Sequence, residues 1–87
     1  MLRESEDPES ALKRDQLKAA IDAAIGELPE DLRSALTLRE FDGLSYEQIA
    51  QILECPVGTV RSRIFRAREH IEQRMRPLLS NTDEESN

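Results

Sequence analysis

The chain has 87 residues, enough for one small domain with a modest core, and 34% of them are charged, with a formal net charge of −6. Its single cysteine excludes an internal disulfide, argues against a metal cluster and fits a protein of the reducing cytoplasm. No apolar run approaches the ~20 residues of a membrane span, and no segment resembles a signal peptide.

Two helices are predicted before residue 43. The polar, acidic residues 1–7 are interpreted as a linker, and the Asp7–Pro8 pair predicts a helix start, because aspartate caps helices and proline is favoured at the first helical position. A periodicity of three to four residues predicts one helix over about residues 8–26, ended by Gly26, and another from Pro29 to residues 41–43. The apolar positions assigned to their buried faces are Leu12, Leu17, Ile21, Ala24, Ile25, Leu28, Leu32, Ala35, Leu36 and Leu38.

A third, short helix is predicted after Ser45, because Ser45 and Gln48 match the Ser-x-x-Gln pattern of a capping box. Residues 54–56 break this helix, since the residue before a proline avoids the helical conformation. A short helix, a three-residue break and a second helix form the pattern of a helix-turn-helix, with the small Ala50 and, ten residues later, Val60 at the contact between the pair. An ordinary helical hairpin is the alternative.

A fourth, long helix is predicted from about residue 57 to residue 75 or beyond, with Pro77 weakening or ending it. The polar, acidic tail over residues 80–87 is predicted to be disordered. Residues 1–56 carry six basic and 13 acidic side chains, whereas residues 57–77 carry six arginines against two glutamates. This concentration of positive charge predicts that the fourth helix contacts a polyanion, although a solvated charged face is the alternative.

The fourth helix has two distinct faces when its residues are placed at ~100° intervals. The face assigned to the core holds Val57, Val60, Ile64, Ala67, Ile71, Met75 and Leu78. Phe65 lies on the opposite face, where a large apolar ring is either incidentally exposed or suited to contact with thymine methyl groups. Arg66 on the same face is suited to bidentate hydrogen bonding with guanine.

Further candidates for DNA contact surround these two residues. Gly58 near the helix start allows close approach of the backbone, and the amino-terminal end of a helix favours phosphate. Thr59 and Ser62 are suited to base edges or phosphates, and Arg61 and Arg63 to phosphates on either side. Arg39 and Tyr46, near the start of the motif, are interpreted either as phosphate ligands or as surface and packing residues.

These motifs resemble region four of the extracytoplasmic-function sigma factors, in the sigma-E and AlgU-like envelope-stress branch. The most specific pieces are GLSYEQIA and CPVGTVRSRIFRAR, within a run from Leu28 to Leu79, and DPESALKRDQL resembles the segment that precedes region four. The resemblance covers about residues 7–79. It implies an all-α fold for residues 8–79, a small four-helix, winged-helix-like domain with a carboxyl-terminal helix-turn-helix.

The resemblance also implies a function in transcription initiation at envelope-stress genes. Region four binds the −35 promoter element in the major groove while docked on the flap of the polymerase β subunit. A GGAAC-like element is expected, contacted partly through its shape, together with a membrane-anchored anti-sigma factor, a cytoplasmic location and a monomeric isolated domain. By motif match, the residues at bases are Pro56, Gly58, Thr59, Arg61, Ser62, Phe65 and Arg66, and those at the DNA backbone are Arg39, Ser45 and Tyr46.

Several alternatives qualify this interpretation. The sequence lacks a region two, so the chain is expected to be an excised domain or a stand-alone regulator that cannot initiate transcription. The effector domain of LuxR-type response regulators and a protein-interaction module are the alternative functions. An enzyme, a cofactor, a metal site and a small-molecule substrate are not expected, because His70 lacks a ligand or catalytic partner in the sequence pattern. A redox role for Cys55 is a minor alternative to a partly buried cysteine.

Overall fold

The computed structural model describes residues 7–86, with side chains described for residues 7–79. Four helices follow in chain order: α1 (Pro8–Glu27), α2 (Glu30–Glu40), α3 (Tyr46–Leu53) and α4 (Val57–Ser86). No strand occurs in this part of the chain, so the all-α prediction is confirmed and the motif has no β wing there. Apart from Asp7, the predicted linker lies outside the described residues.

The ends of α1 are determined by local hydrogen bonds. The Asp7 carboxylate accepts a hydrogen bond of 2.8 Å from the backbone N–H of Ser10, which makes Asp7 the N-cap that the sequence predicts. At the other end, the Arg33 guanidinium donates to the carbonyl of Leu28 at 2.8 Å and to that of Gly26 at 3.4 Å. A cation on the last carbonyls of a helix is favourable, so α2 helps to end α1.

The start and end of α3 also agree with the sequence. Ser45 Oγ accepts from the Gln48 backbone N–H at 3.1 Å, and Gln48 Oε1 accepts from the Ser45 N–H at 2.9 Å, which completes the capping box. At the carboxyl end, Glu54 adopts the left-handed conformation with φ of 56°. Gly43 has φ of 71° in the loop before α3, where a side chain would be strained.

We expect Ser45→Ala to destabilise the domain by about 1 kcal/mol, because it removes the hydroxyl that satisfies the first turn of α3. Denaturant unfolding of both proteins, monitored by circular dichroism, measures this difference. Ser45→Asp is the matched control, since aspartate is also a good N-cap and should preserve most of the stability. Equal stability of the alanine variant and the unaltered chain would contradict a stabilising role for the capping box.

The core lies where α2, α3, α4 and the end of α1 meet. Its buried residues are Leu28, Ala35, Leu36, Ile49, Val60, Ile64 and Ala67. The predicted apolar face of α1 is buried only in part, because Ala24 and Leu28 are enclosed whereas Leu12 is 59% exposed. This departure from the prediction arises because α1 packs mainly against α4, and α2 and α3 are too short to cover its first turns.

The carboxyl-terminal part of α4 differs from the sequence prediction. The helix continues through Pro77 to Ser86, so Pro77 does not end it and the helix overlaps the tail that was predicted to be disordered. Proline removes one backbone hydrogen bond, but extending an existing helix costs much less than starting a new one. This gives a physical reason for the longer helix.

Within the described residues, none of the helices combines the length and the apolar character that a membrane crossing requires.

Candidate nucleic-acid interface

The third and fourth helices pack as the helix-turn-helix spacing predicts. Ile49 of α3 and Val60 of α4 are both fully buried, and Ala50 and Leu53 lie partly buried against the same core. The turn between the helices is tied to both, since the Cys55 N–H donates to the Ala50 carbonyl at 3.1 Å and the Thr59 and Val60 N–H groups donate to the Pro56 carbonyl at 3.0 and 3.1 Å. The start of α4 is therefore rigidly placed relative to α3.

The face of α4 opposite the core is exposed along its first two and a half turns. Phe65 is 65% exposed, whereas its neighbour Ile64 is 2% exposed, so the predicted separation of the two faces is confirmed. Beyond its chain neighbours and the backbone of its own helix, no described atom lies within 4 Å of a Cβ built on Gly58, so packing does not require glycine at this position. The open space beside Gly58 is available to a ligand. The exposed residues predicted to contact DNA are Pro56, Gly58, Arg61, Ser62, Phe65 and Arg66, with Thr59 half-buried at their edge.

Most arginines of α4 are paired with carboxylates of the same chain. Arg68 binds Glu40, Arg74 binds Glu27 at 2.9 Å, and Arg76 lies 3.7 Å from Glu72. Arg63 lies 3.8 Å from Asp31. The concentration of six arginines therefore overstates the free positive charge, because four of them serve contacts within the domain. For Arg63, Arg68 and Arg74 the partner lies on another helix and leaves no local signal in the sequence, whereas Arg76 and Glu72 have the i,i+4 spacing of a pair within one helix.

Arg61 and Arg66 are the two arginines of residues 57–77 that have no carboxylate partner among the residues the structure describes. Both are exposed and both lie on the same face as Phe65. Their charge is not neutralised within the described part of the chain, and a guanidinium in that state offers up to five N–H donors to a phosphate or a base edge. These two residues are the strongest candidates for anion contact.

Arg63, which the sequence predicts to contact a phosphate, has partners within the chain. Its side chain is half-buried, with Nε facing Asp31 and Nη1 at 3.8 Å from Cys55 Sγ. Arg63 therefore links the turn at Cys55 to Asp31 of α2, and its guanidinium is directed to these partners. Its predicted contact with DNA phosphate would require the side chain to leave Asp31.

The secondary candidates form a cluster beside α3. The Ser45 hydroxyl caps α3, and Tyr46 is half-buried against the core. Arg39 donates to the Leu44 carbonyl at 2.9 Å, and its guanidinium carbon lies 5.0 Å from the centre of the Tyr46 ring. The guanidinium carbon of Arg61 lies 5.4 Å from the same centre. The structure thus links Arg39 and Tyr46 of this cluster to the exposed face of α4.

An ion-pair cluster around Glu27, between α1 and α4, was not predicted from the sequence. Glu27 accepts hydrogen bonds from Nε and Nη2 of Arg74, each at 2.9 Å, and its Oε1 lies 3.0 Å from His70 Nε2. The hydrogen bonds from Arg74, and then from His70, lower the pKa of Glu27 from its ordinary value. The partners are more than 40 residues apart, so no local motif indicates them.

We expect Glu27 to make the domain sensitive to acid. Because its folded-state pKa is lowered, its stabilising effect is present above the unfolded-state pKa of about 4.3 and is lost as the pH falls through the lower folded-state value. Urea unfolding between pH 6 and pH 3 should show a larger loss of stability for the unaltered chain than for Glu27→Gln, which has no charge to lose. Parallel losses in both proteins would contradict the expectation.

Within residues 7–79, no group of three or more histidine, cysteine, aspartate or glutamate side chains is arranged to hold a metal ion. Cys55 is partly buried in the turn, as the sequence predicts. His70 forms part of the contact between α1 and α4 through Glu27.

Comparison with known proteins gives a consistent result. A family model described as sigma-70, region 4, matches residues 18–71. The chain is 62% identical over 78 residues to the RNA polymerase sigma-H factor of Pseudomonas aeruginosa, which covers 90% of the chain and 40% of that protein. It is 56% identical over 78 residues to the ECF RNA polymerase sigma-E factors of Escherichia coli K12 and Salmonella typhimurium LT2, covering 90% of the chain and 41% of each. The chain thus spans about two fifths of the length of these curated relatives.

Proposed function

The chain belongs to the sigma-70 region 4 family, and on this basis we propose that it binds the −35 element of a promoter through the exposed face of α4. In this role it acts in the cytoplasm as one part of an RNA polymerase sigma factor. The observation that carries the proposal is the pair Phe65 and Arg66, an exposed apolar ring beside an arginine without a partner in the described chain, on the second helix of a helix-turn-helix.

Each residue of this face has a role that follows from its chemistry. Arg66 is suited to bidentate hydrogen bonds with guanine, and Phe65 to apolar contact with thymine methyl groups. Arg61 is suited to phosphate, and Ser62 to a base edge or a phosphate. The open space at Gly58 permits the amino-terminal end of α4 to approach the DNA backbone closely, where its N–H groups favour an anion.

The proposal extends to the larger protein and its partners. The names of the relatives, an RNA polymerase sigma-H factor and ECF RNA polymerase sigma-E factors, support a place on RNA polymerase core. From the resemblance to the envelope-stress branch, we further propose the β flap as the docking site and a GGAAC-like element as the DNA sequence. We also propose that a membrane-anchored anti-sigma factor masks the domain. A groove with an apolar lining of Ile21, Ile25, Leu36, Phe41 and Ile71, flanked by Glu40, Arg68 and Glu72, is the surface that we propose for protein contacts.

We expect the chain to bind a duplex containing a −35-like GGAAC element, and to bind it more weakly as the salt concentration rises. The logarithm of the binding constant should fall with the logarithm of salt by about 0.9 for each phosphate contacted. Fluorescence anisotropy with a labelled duplex measures both quantities. Failure to bind any −35-like duplex at low salt would contradict the proposal.

Two arginine variants test which side chains contribute to this salt dependence. Arg61→Gln should reduce the salt slope by about one phosphate contact, because its charge is not neutralised by a carboxylate. Arg68→Gln is the matched control, since Arg68 already binds Glu40 and should contribute less. Equal slopes for the two variants would mean that the ion pairs of the free domain do not determine which arginines contact DNA.

A further inference from the structure

We propose that Tyr46 is a positioning residue for DNA binding and that it acts through its ring, which orients the Arg61 guanidinium. This inference rests on the proposed function and deepens it, because it explains what orients Arg61 on α4, the helix proposed to contact DNA. The juxtaposition of Tyr46 on α3 with Arg61 on α4 and Arg39 on α2 carries the inference.

The Tyr46 ring is well placed to orient another side chain. Tyr46 is the first residue of α3, immediately after the Ser45 capping box, and is half-buried against the core. A ring packed in this way has little freedom of its own. It therefore presents a fixed aromatic surface beside the first turns of α4.

Arg61 differs from the paired arginines of α4 in the kind of partner that it has. Arg63, Arg68, Arg74 and Arg76 all lie within ion-pair distance of a carboxylate, which offsets their charge. Arg68 and Arg74 also donate hydrogen bonds to these carboxylates. Arg61 instead lies over the Tyr46 ring, with 5.4 Å between its guanidinium carbon and the ring centre. A cation–π contact restricts the guanidinium while leaving its charge and its N–H donors available.

Arg39, near the end of α2, also contacts the Tyr46 ring. Its guanidinium lies over the same ring at 5.0 Å and donates to the Leu44 carbonyl at 2.9 Å, which ties it to the loop before α3. Arg39 thus holds the ring to the end of α2 and adds positive charge beside Arg61. Restricting Arg61 before binding lowers the side-chain entropy that is lost when it contacts a phosphate.

A double-mutant cycle with the 87-residue chain tests the inference, using anisotropy with the −35-like duplex. Tyr46→Leu should weaken binding about two- to fivefold, the size expected for a cation–π contact at an exposed site. Tyr46→Phe should bind as the unaltered chain does, because it keeps the ring and loses only the hydroxyl. In an Arg61→Ala background, Tyr46→Leu should cause no further loss.

Two binding results would overturn the inference. Weakening by Tyr46→Phe equal to that by Tyr46→Leu would mean that the hydroxyl acts, as a phosphate ligand does. An undiminished effect of Tyr46→Leu in the Arg61→Ala background would mean that the ring acts through something other than Arg61. Thermal unfolding of each variant shows whether it is folded, and the Tyr46→Phe comparison remains decisive if Tyr46→Leu is not.

A measurement without DNA separates this inference from the proposed function. In the free chain, NMR should show the Arg61 side-chain protons shifted by the ring current of residue 46, with the shift kept in Tyr46→Phe and lost in Tyr46→Leu. Absence of the shift in the unaltered chain would overturn the inference even if DNA binding is normal. Presence of the shift without binding to any duplex would contradict the proposed function, and with it the role of the contact in DNA binding.

Discussion

Ile64→Ala is expected to destabilise the domain by about 2–5 kcal/mol, since it removes buried methyl and methylene groups and leaves a cavity. Ile64 is 2% exposed and is among the largest fully buried side chains, together with Ile49 and Val60. The total stability of a domain of this size is roughly 4–13 kcal/mol. The substitution therefore removes a large fraction of it, and urea unfolding should show a much lower midpoint or an unfolded chain.

The next residue provides the control for this prediction. Phe65 is 65% exposed, so Phe65→Ala should leave the unfolding midpoint nearly unchanged while weakening binding to the −35-like duplex. The two adjacent substitutions thus separate stability from DNA contact. A loss of stability in Phe65→Ala as large as that in Ile64→Ala would show that Phe65 packs in solution and is not available to DNA.

Arg66→Ala is expected to weaken binding to the −35-like duplex by about 1–3 kcal/mol and to relax the preference at one base pair. The expected loss is large because Arg66 has no ion pair or hydrogen bond with any residue that the structure describes, so its donors are free for a base. For the same reason, the substitution should leave the free energy of unfolding almost unchanged. Competition with duplexes that differ by single base pairs measures the change in preference.

The pattern across duplexes distinguishes two roles for Arg66. If Arg66 binds a guanine, the variant should lose affinity for the duplex with that guanine and lose little for the duplex without it. An equal loss on every sequence, with a smaller salt slope, would instead make Arg66 a phosphate ligand. Arg66→Lys is an informative companion, because lysine keeps the charge but cannot reproduce the planar, bidentate geometry of a guanidinium.

Helix boundaries were predictable because the signals for them are local. The Asp7–Pro8 pair, the Ser45–Gln48 capping box and the break before Pro56 each involve residues within one helical turn, and all three lie where the sequence places them. At Pro77 the sequence left both weakening and ending of the helix open, and α4 continues through it, because a proline does not necessarily end a helix.

The division of α4 into two faces was also predictable, since it depends only on helical periodicity. Val60, Ile64 and Ala67 are buried and Phe65 is exposed, as the 3.6-residue repeat requires. The periodicity was less informative for α1. Leu12 belongs to the apolar repeat of this helix, yet its side chain is exposed. A repeat identifies which side of a helix is apolar, and the lengths of the surrounding helices determine how much of that side is buried.

The sequence was thus sufficient to establish the helices, the helix-turn-helix, the family and the face of α4 that is proposed to contact DNA. Which arginines of α4 are available for that contact depends on the folded chain, because charged groups pair according to distance in space. Arg68 binds a glutamate 28 residues away and Arg74 one 47 residues away, and Arg61 lies over a ring on another helix. Periodicity along a single helix does not indicate partners on other helices. Of the six arginines, only Arg61 and Arg66 lack a carboxylate partner among the residues that the structure describes.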